Sequence, residues 1–168
     1  MKNKRAEYYC ATYASPIGEL TLVADENGNL TGLWIAGQKH HGRTIYKLNT
    51  HENLAVFNAA KKWLDAYFAG RNPKISQLPL MPHGTEFQTR VWRALCDIPY
   101  GQTTTYGEIA KKLNRPKSSR AVGCAVGCNP ISIIIPCHRV IGACGALTGY
   151  AGGIANKIKL LRYEHAIV

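Results

Sequence analysis

Acidic side chains are scarce in this chain. Only 10 Asp and Glu stand against 21 Lys and Arg, a formal net charge of +11 with histidine neutral. The deficit is sharper in the second half: residues 1–84 carry 10 basic and 6 acidic side chains (+4), residues 85–168 carry 11 and 4 (+7). No single lysine run accounts for the excess. A polyanionic partner fits this balance, nucleic acid first. The plainer alternative is a basic protein kept soluble by its charge.

Long apolar runs are missing too. The longest aliphatic stretch, Ile131 to Ile135, is interrupted by Ser132 and is far too short to span a bilayer. Met1-Lys2-Asn3-Lys4-Arg5 leads into polar and aromatic residues without an apolar core behind it, so no secretory signal is expected. The expectation is a soluble, cytoplasmic protein with no membrane association. Low-complexity segments and fixed-period repeats are lacking, and the 46% hydrophobic content suffices for a core. The six cysteines lack a regular spacing, with Cys10 and Cys96 remote from the other four. Without a route to an oxidising compartment they read as reduced thiols, either small buried apolar residues or chemical ones. No dinucleotide or Walker glycine fingerprint occurs.

What is present divides near His83-Gly84. In residues 1–84, Tyr8–Tyr13, Glu19–Ala24 and Leu30–Ile35 read as strands, the last two joined through an Asn27-Gly28 hairpin signal. Gly37 to Thr50 reads as a loop. Leu54, Phe57, Trp63, Leu64, Tyr67 and Phe68 recur at helical spacing, with Gly70 as a stop. Pro73, Pro79 and Pro82 argue against a regular element there. In residues 85–168, Thr85 caps a helix bearing Phe87, Val91, Trp92 and Leu95. Thr105-Tyr106-Gly107-Glu108 has capping-box spacing ahead of Ile109, Ala110 and Leu113. Asn114-Arg115-Pro116 breaks that helix, and another runs from about Lys117 or Ser118 to Val126. The pair forms a helix-turn-helix pattern, with Lys117, Ser118, Ser119 and Arg120 where such helices meet phosphates. A short strand is expected at Ile131–Ile135, then a glycine-rich loop from Gly142 to Gly153 and a final helix through Ile158, Leu160, Leu161 and Glu164. The fold class is therefore α+β: an N-terminal α/β domain (antiparallel sheet plus helix) at 1–84, then a mostly helical, winged-helix-like domain at 85–168.

Cys137 beside His138 suggests an activated thiolate, because imidazole can take the thiol proton. In an extended segment neighbouring side chains point to opposite faces, so the pair needs a bend or an intervening water. On the dipeptide alone the bland reading prevails, a buried thiol beside a satisfied histidine. The wider string changes this. Pro136-Cys137-His138-Arg139-Val140, preceded by Asn129-Pro130, resembles the active-site signature of the O6-alkylguanine-DNA alkyltransferases (methylated-DNA–protein-cysteine methyltransferases). Arg120-Ala121-Val122-Gly123, Tyr150-Ala151-Gly152-Gly153 and Lys157 through Leu160-Leu161 to Glu164 extend the resemblance, at matched spacing, over most of residues 85–168.

That resemblance implies a role for each position. Cys137 would accept the alkyl group, His138 would act as base through a bound water, and Glu164 would orient and charge-stabilise that histidine. Asn129 would brace the active-site turn. Tyr106 would hydrogen-bond the flipped guanine and assist its departure, and Lys157 would hold the active-site strand and the pocket rim. Val140, Tyr150, Ala151 and Gly152 would line the base pocket. Arg120 would enter the base stack in place of the flipped nucleotide, with Ala121 and Gly123 permitting close approach and Ser118, Ser119 and Thr105 at the DNA. The implied reaction is irreversible, single-turnover transfer of an alkyl group from O6 of guanine, or O4 of thymine, in double-stranded DNA bound through its minor groove. It needs no cofactor. A monomer is expected, with cooperative binding along DNA left open.

Read without the resemblance, each residue has a plainer explanation: a solvated charge for Glu164, an Asn-Pro turn for Asn129, a helix-surface charge for Lys157. Cys124, Cys128, Cys137 and Cys144 could suggest zinc, but the spacing matches no common finger, and a metal-bound Cys137 could not react. The first half, with Cys10 and His40, His41, His51 and His83, supports no confident metal site. Competing functions are a damage binder without transfer, a helix-turn-helix regulator and a cysteine hydrolase. The first is opposed by the thiol itself, the second by the Pro-Cys-His-Arg-Val segment, the third by the lack of an oxyanion-loop motif.

Overall fold

The computed structural model describes residues 7–39 and 48–167. Three strands, β1 (Tyr8–Ser15), β2 (Gly18–Asp25) and β3 (Leu30–Ile35), form an antiparallel meander. The β2–β3 turn is shaped by Asp25, whose Oδ1 accepts the backbone N–H of Asn27 (3.0 Å) and Asn29 (2.8 Å), while Gly28 takes φ +79°. An L-residue with a side chain adopts that φ only with strain.

The stretch expected as one loop from Gly37 to Thr50 behaves differently at its end. Leu48–Thr50 forms β4, which pairs parallel with Tyr8–Cys10 of β1. The sheet is thus mixed, in the order β3-β2-β1-β4. A three-residue strand leaves almost no periodic signal, so sequence patterning could not expose it. Residues 40–47, with His40 and His41, lie outside the described residues.

Helix α1 (Ala55–Phe68) packs on the sheet through Val56, Phe57, Ala60, Trp63, Leu64 and Tyr67. It ends at Gly70 (φ +76°), with Gly70 N–H bonded to Tyr67 O and Arg71 N–H to Ala66 O, which satisfies two carbonyls the helix would otherwise orphan. The proline-bearing stretch after it holds one 3₁₀ turn, Ile75–Gln77.

β3 is buried at all six positions although it lies at the sheet's edge. Its free backbone groups are taken up from both halves of the chain. Leu30 N–H donates to Pro79 O and Leu30 O accepts from Met81 N–H; Leu33 N–H donates to Pro130 O and Leu33 O accepts from Ser132 N–H. The edge that would otherwise invite foreign pairing is used to hold the second half in place.

The second half is mostly helical. Helix α2 (Glu86–Cys96) starts with a reciprocal Thr85–Gln88 capping box and buries Val91, Trp92, Ala94 and Leu95. The short strand β5 (Thr104–Thr105) leads into α3 (Tyr106–Lys112), opened by the expected box: Thr105 Oγ1 accepts from Glu108 N–H, and Thr105 N–H donates to Glu108 Oε2. Asn114 (φ +57°) turns the chain, with Arg115 N–H bonded back to Ala110 O, and α4 (Ser119–Gly127) follows. Trp92 Nε1 donates to Ala125 O at 2.9 Å, tying α4 to α2. β6 (Val140–Ile141) pairs parallel with β5, and α5 (Ile154–Tyr163) closes the fold. One continuous hydrophobic core runs through both halves. Among the described residues no helix is long and apolar enough to cross a membrane.

The strand expected at Ile131–Ile135 is absent. Ile131 makes a single bridge to Leu33; residues 132–134 then form a turn in which Ile133 takes φ +70°. A β-branched residue in that region is strained and persists only where its surroundings over-determine it. The apolar run is real, but these side chains are enclosed on every side rather than on one face of a sheet, and periodicity does not separate the two cases.

Candidate active site

The turn at 131–135 leads through Pro136 into a 3₁₀ turn, Cys137–Arg139. This supplies the bend that adjacency of Cys137 and His138 requires. The turn is held from within by the side chain of Asn129. Its Nδ2 donates to Ile135 O (2.8 Å) and Ile131 O (3.3 Å), its Oδ1 accepts from Ile131 N–H (3.0 Å), and Nδ2 also reaches Cys137 Sγ at 3.1 Å. One buried amide thus does the work of a neighbouring strand and contacts the thiol.

Cys137 is 4% exposed, and burial pushes its thiol up in pKa. The Asn129 amide and the Lys157 ammonium act in the opposite direction, since both favour a thiolate. Lys157 is itself fully buried, with Nζ donating to Val140 O (2.5 Å) and Thr148 O (2.8 Å). It is therefore no helix-surface charge; it ties β6 to the glycine-rich loop. Burial brings its pKa down to about 8, against the pull of a thiolate at Cys137.

His138 is fully buried and sits beside an equally enclosed carboxylate. Its Nε2 lies 2.7 Å from Glu164 Oε1. Arg139 grips the same carboxylate, Nε to Oε2 at 2.7 Å and Nη2 to Oε1 at 3.0 Å, and its Nη1 donates to Ile98 O. The backbone N–H of Gly101 adds a contact to Oε2 at 3.3 Å. Burial alone would push the Glu164 carboxyl up; the His138 and Arg139 donors outweigh it and hold it at about 2. Glu164 is thus an anion and takes the Nε2 proton as a hydrogen bond. Burial drives His138 toward the neutral form, helped by the Arg139 and Lys157 cations and opposed by Glu164. A neutral imidazole bonded to a carboxylate through Nε2–H carries its lone pair on Nδ1. That Nδ1 is buried without a protein hydrogen-bond partner.

The remaining expected residues fall into two groups. Tyr106, at the start of α3, is half-buried, with its hydroxyl 3.4 Å from Thr148 O and Gly149 O. Gly123 of α4 faces its ring: a Cβ there would lie 3.7 Å from Tyr106 Cδ1. Val140 O accepts a hydrogen bond from Lys157, and Tyr150, Ala151 and Gly152 lie in the glycine-rich loop that Lys157 also holds, at Thr148 O. At Gly152 what the missing side chain admits is protein, since a Cβ would meet Ile35 Cδ1 at 2.6 Å and Tyr150 Cε1 at 2.8 Å. The α4 group is separate. Arg120 and Ala121 are exposed on the first turn, Ser118 and Ser119 half-exposed beside them. Thr105 Oγ1 is engaged with Glu108 in the cap of α3.

Several contributors escaped sequence reading. Arg139 was visible only as a letter of the motif, though a buried arginine must be paired. Tyr67 read as a core aromatic of α1; its hydroxyl donates to Glu164 Oε1 at 2.8 Å. Gln38, just after β3, accepts from Ser132 Oγ (2.9 Å) and from Ile35 N–H (3.1 Å), bracing the active-site turn from the first half. No local pattern marks either residue. Among the described residues no cluster of three or more His, Cys, Asp or Glu could hold a metal ion.

An enclosed thiol, a histidine tied to a carboxylate and an adjoining helix-turn-helix define a protein of nucleophilic cysteine chemistry. Comparison with known proteins narrows this class. Residues 86–166 match the family model "6-O-methylguanine DNA methyltransferase, DNA binding domain", and residues 8–82 match its "ribonuclease-like domain". A methylated-DNA–protein-cysteine methyltransferase of Methanosarcina acetivorans is 50% identical over 156 residues, 93% of this chain and 97% of that protein. One from Haemophilus influenzae is 43% identical, covering 93% and 86%. The crystal structure of Mycobacterium tuberculosis OGT in complex with DNA superposes with a TM-score of 0.82 at 48% identity, covering 95% of this chain and 93% of that one. The chain belongs to the 6-O-methylguanine DNA methyltransferase family.

Proposed function

We propose that this protein repairs alkylated DNA by moving an alkyl group from O6 of guanine onto Sγ of Cys137, once per molecule. The observation that carries the proposal is the chain from the Asn129-braced thiol to a neutral His138 whose Nε2–H is fixed by Glu164. His138 Nδ1 takes the thiol proton through a bound water. The thiolate attacks the alkyl carbon, the S–C bond forms as the C–O6 bond breaks, and the electron pair returns to the base. Tyr106 donates a proton toward the departing guanine. The thioether has no easy exit, so the protein is consumed.

O6 is stacked inside the duplex and Cys137 is enclosed, so the base must leave the helix to react. Arg120 is the side chain that fills the gap. Its exposed place on the first turn of α4, beside Ala121, Ser118 and Ser119, leaves it free to reach DNA; the docking proposed is in the minor groove, by a monomer. Val140, Tyr150, Ala151 and Gly152 form the wall of the base pocket, with Lys157 fastening it. Residues 85–168 are then the DNA-binding and acceptor unit, and residues 1–84 support it. A DNA-associated location follows from the substrate, and the compartment proposed for it is the cytoplasm.

The test is stoichiometric transfer from a duplex with one O6-methylguanine, located by peptide mass spectrometry. A single methyl on Cys137, saturating at one per protein and lost in Cys137→Ala with DNA binding retained, is the expected result. Lesion binding without transfer would convert the assignment to a damage binder.

A further inference from the structure

From the first half of the chain, the Tyr67 hydroxyl reaches the buried His138–Glu164 pair. Tyr67 lies on α1, 71 positions before His138 and 97 before Glu164. Its OH donates to Glu164 Oε1 at 2.8 Å, the oxygen that also receives His138 Nε2, and stands 3.5 Å from Nε2 itself. The geometry points to Tyr67 as a positioning residue that sets the base strength of His138 from the N-terminal half, an inference resting on the reading of His138 as base.

The ring cannot turn away. It stacks on Trp63 (centroids 5.6 Å, planes 9° apart) and meets Phe68 and Tyr100 edge-on at 5.2 and 6.2 Å. Tyr100 lies in turn under the Arg139 guanidinium at 5.7 Å and donates its OH to Tyr163 O. Burial and then the Glu164 charge keep the Tyr67 hydroxyl protonated, so it remains a donor.

The physical consequence has a definite sign. Glu164 is shared among His138, Tyr67, Arg139 and the Gly101 N–H. Each donor withdraws charge from the carboxylate and weakens its hold on an imidazolium. Removing the Tyr67 hydroxyl concentrates charge on Oε1 opposite Nε2. The protonated form of His138 is then favoured, and the neutral base is available only at higher pH. The other charges that act on His138 stay in place, Arg139 on its own turn and Lys157 from α5; Tyr100, after α2, and Tyr150, in the loop, face the Glu164 carboxylate and remain as well.

The test is the single-turnover transfer rate, at saturating protein on the O6-methylguanine duplex, followed from pH 5 to 9 (a range of roughly the histidine titration on either side) for the parent and for Tyr67→Phe. The phenylalanine ring keeps the aromatic packing. The expected result is an acid limb displaced upward by about 0.5–1 pH unit, a rate several-fold lower on that limb, and convergence with the parent at high pH. Titration of His138 by NMR of ring-labelled histidine should show the same upward displacement, even in a variant of reduced stability. Superimposable profiles, or a loss that is uniform at every pH, would overturn the inference and leave Tyr67 a packing residue. The underlying reading is checked separately: a parent that methylates Cys137 without an acid limb, or a limb that survives in His138→Gln, removes His138 as the base and this inference with it.

Discussion

Asn129 and Gln38 brace the same turn from different halves of the chain. Asn129 does so from two to eight residues away, through Ile131, Ile135 and Cys137. Gln38 does so from 94 residues away, through Ser132. The same division holds for the histidine: Arg139 and Glu164 belong to the second half, Tyr67 to the first. On the proposed mechanism the C-terminal half carries the reacting groups, and the N-terminal half contributes to their restraint. A half that looks chemically silent in sequence can still fix where the thiol stands and how basic its partner is.

The largest effect is expected where the two halves meet. Glu164→Ala leaves Arg139 buried and unpaired and frees His138 and Tyr67 together. A loss of about 3–5 kcal/mol in denaturant unfolding is expected, as for breaking a buried ion pair from one side, with transfer abolished. A loss below about 1 kcal/mol would mean that the cluster is only a solvated surface arrangement.

Acidification probes the same carboxylate without mutation. Its folded-state pKa, about 2, lies below the ordinary value of 4.5, so its contribution is complete above that ordinary value and is lost as pH falls from there toward 2. Acid unfolding of the parent should steepen across that window, and Glu164→Gln should flatten it. An unchanged acid profile in the variant would place the sensitivity in other carboxylates.

The two braces separate the halves more finely. Asn129→Ala strips the turn of its internal hydrogen bonds and the thiol of a donor. It should cost about 1–3 kcal/mol and slow transfer at unchanged DNA affinity. Gln38→Ala leaves Ser132 Oγ and Ile35 N–H without their partner, so about 1–2 kcal/mol is expected, with a smaller slowing of transfer. If Gln38→Ala slows transfer as much as Asn129→Ala, restraint from the first half is as important as restraint within the second. If it changes stability alone, the first half acts on the turn only as packing.

Much of the fold could be read locally. The cap at Thr85, the box at Thr105, the Asn27-Gly28 turn, the stop at Gly70 and the face of α1 depend on residues within about one or two turns of one another, and each stands where it was expected. The misread segments are those in which the deciding partner is remote. Ile131–Ile135 has the composition of a strand, and only its enclosure by Leu33, Asn129 and Gln38 makes it a turn. Leu48–Thr50 becomes a strand because β1 presents an edge to it.

By itself, the sequence determined the cap-and-helix layout, the basic character of the second half and the string Pro136-Cys137-His138-Arg139-Val140, because these rest on side-chain chemistry and short spacing. Tertiary structure alone decided that Lys157 is buried, that Arg139 shares Glu164 with His138, and that Tyr67 and Gln38 reach across from the first half. The reason is physical. A buried polar group must find a hydrogen-bond partner, but which partner it finds depends on chain segments brought together by the common core, and their separation along the sequence carries no trace of that meeting.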